Sequence, residues 1–120
     1  MEYERRLKPI FDRIQIQYLE DEKKSFRSNF SFGFYIKDPK RYPRNKAMEY
    51  MKNHGIESRP LIAGNLSRHP FYPLYCENPR VKLDNSDKIH YGGMYLPNHQ
   101  NITKEDVHYI TEHLISFFTN

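Results

Sequence analysis

The chain has 120 residues, 38% hydrophobic and 15% aromatic, with no tryptophan, a single cysteine and a net charge of +4. That is one domain's worth of sequence with enough apolar content for a modest core, which excludes a disordered chain. No apolar run approaches a membrane span, the N-terminus lacks a signal peptide's apolar segment, and the lone Cys76 excludes an internal disulfide framework; together these point to a reducing, cytoplasmic setting without a membrane partner.

In chain order, EYERRLK (2–8) reads as a short helical piece stopped by Pro9, starting abruptly with no capping residue and little apolar periodicity. RIQIQYL (13–19) alternates Ile14, Ile16 and Tyr18 against Gln15 and Gln17, the pattern of a half-buried strand. EDEKKSFRS (20–28) is a polar loop. The cleanest strand follows, with Phe30, Phe32, Phe34 and Ile36 on one face and Ser31, Gly33, Tyr35 and Lys37 on the other. Residues 43–55 predict a helix: Pro43 suits its first turn, Ala47, Met48 and Met51 can face a core, and Gly55 suits a left-handed cap. IESRP (56–60) is a short strand ended by Pro60, AGN (63–65) a turn, and LSRHPFYPLY (66–75) irregular or briefly helical.

SDKIHYGG (86–93) predicts a short helix and MYLP (94–97) a strand. Thr103 opens the last helix with Asp106 as its reciprocal cap partner, and Val107, Ile110, Leu114 and Phe117/Phe118 form its apolar face. This order of elements predicts an α/β (α+β) two-layer domain over 1–120, a small mixed or antiparallel sheet covered by helices. The last helix is expected to cover the aromatic face of the 30–36 strand.

Chemistry is sparse. There is no Gly-rich phosphate loop, no nucleophile elbow and no metal-spaced set of cysteines and histidines. His108 and His113 stand five apart on the last helix and share no face, and His54 suits a helix C-terminus. The basic run KDPKRYPRNK (37–46) is either a solvated loop or a phosphate contact. FSFGFY and FYPLY beside basic residues could stack bases, but strict alternation in the first is a core pattern, so nucleic acid is not the expected partner.

The densest polar chemistry is GIESRPLIAGNLSRHPFY (55–72). Arg59 ends a strand, Gly64–Asn65 makes a turn, and Arg68 and His69 follow where a helix start could face an anion. An equally open reading is structural, with Arg59 paired to a carboxylate and Asn65 capping the next helix.

That stretch resembles the motif G-I-E-x-R-P-x-x-A-G-N-[LF]-x-[RK]-x-P of the DegT/StrS-type family of pyridoxal-phosphate-dependent sugar aminotransferases. FSFGFYIKD (30–38) is similar to that family's SWFGFPI strand, and LDNSDKIHYGGMYLPNHQNITKEDVHYI (83–110) to its C-terminal signature. The resemblance runs through roughly residues 3–118. It implies the family's C-terminal small domain, without the cofactor-binding large domain. The Schiff-base lysine, which the family places near a Ser-His-x-x-Lys segment, has no counterpart here. The abrupt start fits a truncated or split piece.

The resemblance further implies that the complete enzyme uses pyridoxal phosphate, that the chain alone neither holds it nor turns over, and that the substrate is a nucleotide-linked keto sugar. Arg59, Asn65 and Arg68 match the motif positions expected to hold the sugar or its diphosphate. Asn98 and His99 match the family's N-H pair and are expected to line the same cleft. A large-domain or homodimer partner is implied as well. His69 departs from the Gln common at its position. The loop form fits both the aminotransferases and the related sugar 3-dehydratases. Other readings are a stand-alone nucleotide-sugar or partner-binding module and a basic aromatic nucleic-acid binder.

Overall fold

The computed structural model describes residues 2–16, 29–78 and 81–120. The expected strand position Tyr18 and the loop 20–28 lie outside the described residues. Helix α1 (Glu2–Leu7) runs into a 3-10 turn at Lys8–Ile10, then strand β1 (Ile14–Ile16), strand β2 (Ser31–Ile36) and helix α2 (Arg44–Asn53). Strand β3 (Arg59–Pro60), a 3-10 turn at Leu66–Arg68 and the single-turn helix α3 (Tyr72–Tyr75) follow, then α4 (Asp84–Gly92), β4 (Gly93–Pro97) and α5 (Lys104–Thr119).

The four strands form one antiparallel sheet in the order β1-β2-β4-β3. Register follows from side-chain alternation: Phe32, Phe34 and Ile36 of β2 are buried with Ile14, Ile16, Met94 and Leu96, so one face of the sheet is apolar throughout. Helix α5 supplies Val107, Ile110, Leu114 and Phe118 to the same core, as expected from their spacing, and α2 adds Ala47 and Met51.

Several sequence expectations are corrected. Helix α1 and the 3-10 turn that follows do carry an apolar stripe: Tyr3, Leu7 and Ile10 are fully buried, and Tyr3 stacks flat on Phe32 with ring centroids 4.7 Å apart. Its three-and-four spacing was hidden by the charged residues between. Pro9 ends the α-helix but sits inside the 3-10 turn that carries Ile10 into the core, because the first turn needs no amide from it. Phe30 is 78% exposed rather than in the core. The last rung of β2 is Ser31↔Pro97, and beyond it no ladder enforces alternation; Phe30 meets Tyr95 edge-on instead. The strand expected at 56–60 shrinks to Arg59–Pro60, an edge position where a proline costs no ladder bond. Helix α4 starts at Asp84, two residues early, with Asp84 and Asp87 in the first turn where the helix dipole favours carboxylates.

Helix ends follow the sequence closely. Gly55, at φ +73, ends α2 in the left-handed region. His54 Nδ1–H donates to the Tyr50 carbonyl (2.8 Å), the expected helix-end role. The capping box at α5 is complete: Thr103 accepts from the Asp106 amide (3.1 Å), and Asp106 accepts from the Thr103 amide (2.8 Å). Replacing the cap, Thr103→Ala, is expected to cost about 1 kcal/mol, read as a lower denaturation midpoint with an unchanged slope.

Candidate functional site

The segment after β3 is built on the start of β4 and on one face of α4. The Leu61 amide donates to the Gly93 carbonyl (3.0 Å), prolonging the sheet edge by one bond. The chain then turns at Gly64, whose φ of +72 is a conformation L side chains avoid. A Cβ at Gly64 would stand 2.7 Å from His90 Nδ1, so turn and ring are in contact.

Asn65 is only 2% exposed, and its polar atoms are engaged. Its backbone N–H donates to His90 Nδ1 (3.2 Å) and its Nδ2 donates to Asp87 Oδ1 (2.7 Å). Its Oδ1 accepts from the Ser67 amide (3.0 Å) and hydroxyl (2.6 Å), which caps the 66–68 turn. Arg68 grips Asp87 with two parallel bonds, Nε to Oδ1 (2.9 Å) and Nη2 to Oδ2 (2.8 Å), and lies 5.7 Å from the Tyr91 ring centroid. His69 Nε2–H donates to the Ala63 carbonyl (2.8 Å), closing the loop on itself.

The electrostatics centre on Asp87. The Arg68 guanidinium first, and the Asn65 amide second, hold its carboxyl at about 2, well below the ordinary 3.8. Arg68 is raised in turn by Asp87. Partial burial lowers His90, helped by His69, Arg44 and Arg68 and opposed by Asp87. Arg44, drawn from the basic run, spends its charge on the C-terminal end of α4, donating to the His90 (2.8 Å) and Gly93 (3.0 Å) carbonyls. Beside Asp87 a shallow cleft of about 220 Å³ opens between Lys37, Pro39, Asp84, Lys88 and Tyr91.

The structure therefore brings Asn65 and Arg68 together. Arg59 lies just before them on β3, its guanidinium paired with Glu57 (2.7 Å) and exposed. Asn98 and His99 are elsewhere. The loop leaves β3 opposite Met94, whereas Asn98 and His99 follow the far end of β4, roughly 13 Å along the strand at its usual rise. There Asn98 Nδ2 donates to the Asn29 carbonyl (2.6 Å), and His99 Nδ1 accepts from the Asn101 amide (3.3 Å). Among the described residues no group of three or more potential metal ligands gathers, and no helix is long and apolar enough to cross a membrane.

Sequence reasoning missed Asp87 and His90, the two side chains that hold the loop. Their i, i+3 spacing on α4 puts them on one face, which was legible; their pairing with a segment some twenty residues earlier was not. The Asp87 anchor has a definite acid limit. A carboxyl whose pKa is depressed on folding stabilises above its unfolded value, and that contribution fades as pH falls from 3.8 toward 2. The stability gap between the wild type and Asp87→Asn is therefore expected to be widest near neutrality and to close across that window, in chemical denaturation at a series of pH values.

Comparison with known proteins identifies the family and the fold. A sequence profile described as the DegT/DnrJ/EryC1/StrS aminotransferase family matches residues 2–115. The chain is 27% identical over 97 residues to the GDP-4-keto-6-deoxy-D-mannose 3-dehydratase of Escherichia coli O55:H7, covering 79% of this chain and 25% of that protein. Among solved structures, the E. coli GDP-4-keto-6-deoxy-D-mannose-3-dehydratase with bound hydrated PLP superposes with a TM-score of 0.69 at 23% identity, over 94% of this chain and 29% of that one. A DegT DnrJ EryC1 StrS aminotransferase from Brucella abortus gives a TM-score of 0.69 at 16% identity, over 99% and 30%. The chain thus spans only about a quarter to a third of the length of these relatives, and it belongs to the DegT/DnrJ/EryC1/StrS aminotransferase family.

Proposed function

We propose that these residues are the C-terminal small domain of a pyridoxal-phosphate-dependent nucleotide-sugar aminotransferase or sugar 3-dehydratase. It would act in the cytoplasm, supplying deoxy- or amino-sugars for surface polysaccharides such as lipopolysaccharide. The observation that carries this reading is the family match over 2–115, joined to a fold that covers only 29% of a dehydratase with bound PLP. In this reading the domain closes over a nucleotide-linked keto sugar. Arg68 and Arg59, held by Asp87 and Glu57 through their Nε and Nη2 edges, would offer their remaining guanidinium N–H groups to its diphosphate, and Asn65 holds the loop that presents Arg68. Bidentate geometry is what makes arginine suited to phosphate. Asn98 and His99, at the other end of β4, would meet the substrate only from a different side.

Among the described residues no lysine suits the cofactor's Schiff base. Every lysine among the described residues, from Lys8 to Lys104, is exposed, whereas a Schiff-base lysine needs a desolvated setting to be nucleophilic. The chain by itself would bind and not turn over, and the remaining part of such an enzyme, or a second subunit, would supply the cofactor. The face of Phe71, Leu74 and Tyr75 suits burial against that part: the three stand at i, i+3, i+4 around α3, and Leu74 and Tyr75 are 76% and 82% exposed. Nucleic acid is disfavoured because Phe32 and Phe34 are spent on the core and Arg44 on α4.

Calorimetric titration with a panel of nucleotide diphosphate sugars tests the reading. Arg68→Ala and Arg59→Ala are each expected to weaken binding by about tenfold or more, the loss of one charge-assisted contact. Unchanged affinity in both variants would remove the arginines from the site.

A further inference from the structure

We infer that His90 is the positioning residue of the 63–68 loop: its neutral ring, carrying its proton on Nε2, holds Asn65 through Nδ1, and a second proton taken up at Nδ1 from solvent releases the loop. The inference rests on the direction of one hydrogen bond. A backbone amide can only donate, so the Asn65 N–H, 3.2 Å from Nδ1, requires that nitrogen to be unprotonated. An imidazolium has N–H groups on both nitrogens, and two donors would then face each other. The Gly64 turn packs closely on the same ring, where a single added carbon would stand 2.7 Å from Nδ1 and 3.0 Å from the His90 Cα, so the repulsion falls on the turn itself. Asn65 is buried, so an amide orphaned there carries a desolvation penalty that the loop avoids by moving.

The surroundings set when this happens. From the loop, the His69 ring stands edge-on 5.7 Å away and Arg68 adds its charge. From α2, Arg44 donates to the His90 carbonyl itself. From α4 come Asp87, already neutralised by Arg68, and the Tyr91 ring, edge-on at 5.0 Å. Partial burial of the ring is the main cause, and the surrounding cations, which outnumber the carboxylates, act in the same direction, so His90 titrates below the ordinary 6.5. The sign follows: the latch's contribution to stability is complete above 6.5 and fades as pH falls through that value toward the lower folded one, where the ring takes its proton and the loop is released. That the released segment is a substrate loop rests on the proposed function; the latch itself does not.

Long-range ¹H–¹⁵N NMR of the 120-residue chain, titrated from about pH 8 to about pH 5 across the histidine range, tests it alongside two variants. In His90→Asn, the amide oxygen can stand in for Nδ1 as acceptor and cannot titrate. His90→Phe has no acceptor. The expected result is a His90 ring protonated on Nε2 alone at the upper pH. The Gly64, Asn65, Ser67 and Arg68 amides then shift with the same midpoint as the ring. His90→Asn should keep the wild-type loop spectrum and lose the shift, and His90→Phe should show the released spectrum throughout. A ring protonated on Nδ1 at the upper pH, loop amides indifferent to the His90 titration, or a His90→Asn variant that still shifts would each overturn the inference. Should His90→Phe not fold, the wild-type tautomer and His90→Asn decide alone. No readout depends on sugar binding, so the latch and the proposed function fail independently.

Discussion

Phe34→Ala is expected to remove about 3–5 kcal/mol of stability, the usual cost of emptying a buried aromatic site. Phe34 is 1% exposed in the middle of β2, an inner strand of the sheet, opposite Ile16 on one neighbour and Met94 on the other. Its ring lies 6.3 Å from that of Phe32, which Tyr3 covers. The strands on either side are hydrogen-bonded in fixed register, so the site cannot collapse to fill the void and the cavity term adds to the lost transfer energy. A domain this size has about 5–15 kcal/mol in total, so the variant should sit close to unfolding at ambient temperature. Phe30→Ala is the control: the same residue type in the same run, outside the ladder and exposed, should change stability by no more than about 0.5 kcal/mol. Urea titrations of the two would refute the strand assignment if their midpoints fell together.

That contrast shows what the sequence could disclose. Period-two alternation located β2 and its buried face, and 3.6-residue spacing located α5 and its cap, because in both cases one face of a regular element must be apolar and the pattern is local. The same logic failed at Phe30, where alternation continued in the sequence after the ladder had stopped. It failed at α1, where one buried residue per turn among charges does not look like a stripe until the partner, Phe32, is known. At the candidate site the loop residues Asn65 and Arg68 stood out by composition, but their partners did not. Asp87 and His90 come from another element, and nothing in a single sequence reports a contact across |i−j| of 19 to 25. The separation of Asn98 and His99 from that loop has the same origin. Motif order places them downstream of the loop, whereas β4 runs antiparallel to β3 and carries them to the opposite end of the sheet.

Gly64→Ala carries the second large effect, and it is aimed at the site rather than the core. Two costs combine. An alanine at φ +72 sits in the left-handed region, a penalty of about 1–2 kcal/mol. Its Cβ would also meet His90 Nδ1 at 2.7 Å and the His90 Cα at 3.0 Å. Overpacking of this kind costs about 1–3 kcal/mol more. The ring end could swing away, but only by giving up the Asn65 amide, and the Cα belongs to the helix backbone. Gly55→Ala separates the two costs, since its φ is +73 and a Cβ there meets nothing within 4 Å. It should lose only the conformational part, about 1–2 kcal/mol. The excess loss in Gly64→Ala, measured by denaturation of both variants, reports the contact between turn and ring. It should come with shifted Asn65 and Arg68 amide resonances, because displacing His90 loosens the segment that Asp87 anchors. A Gly64→Ala chain no less stable than Gly55→Ala, with its loop spectrum unchanged, would mean that the ring does not support the turn, and the loop would then depend on Asp87 alone.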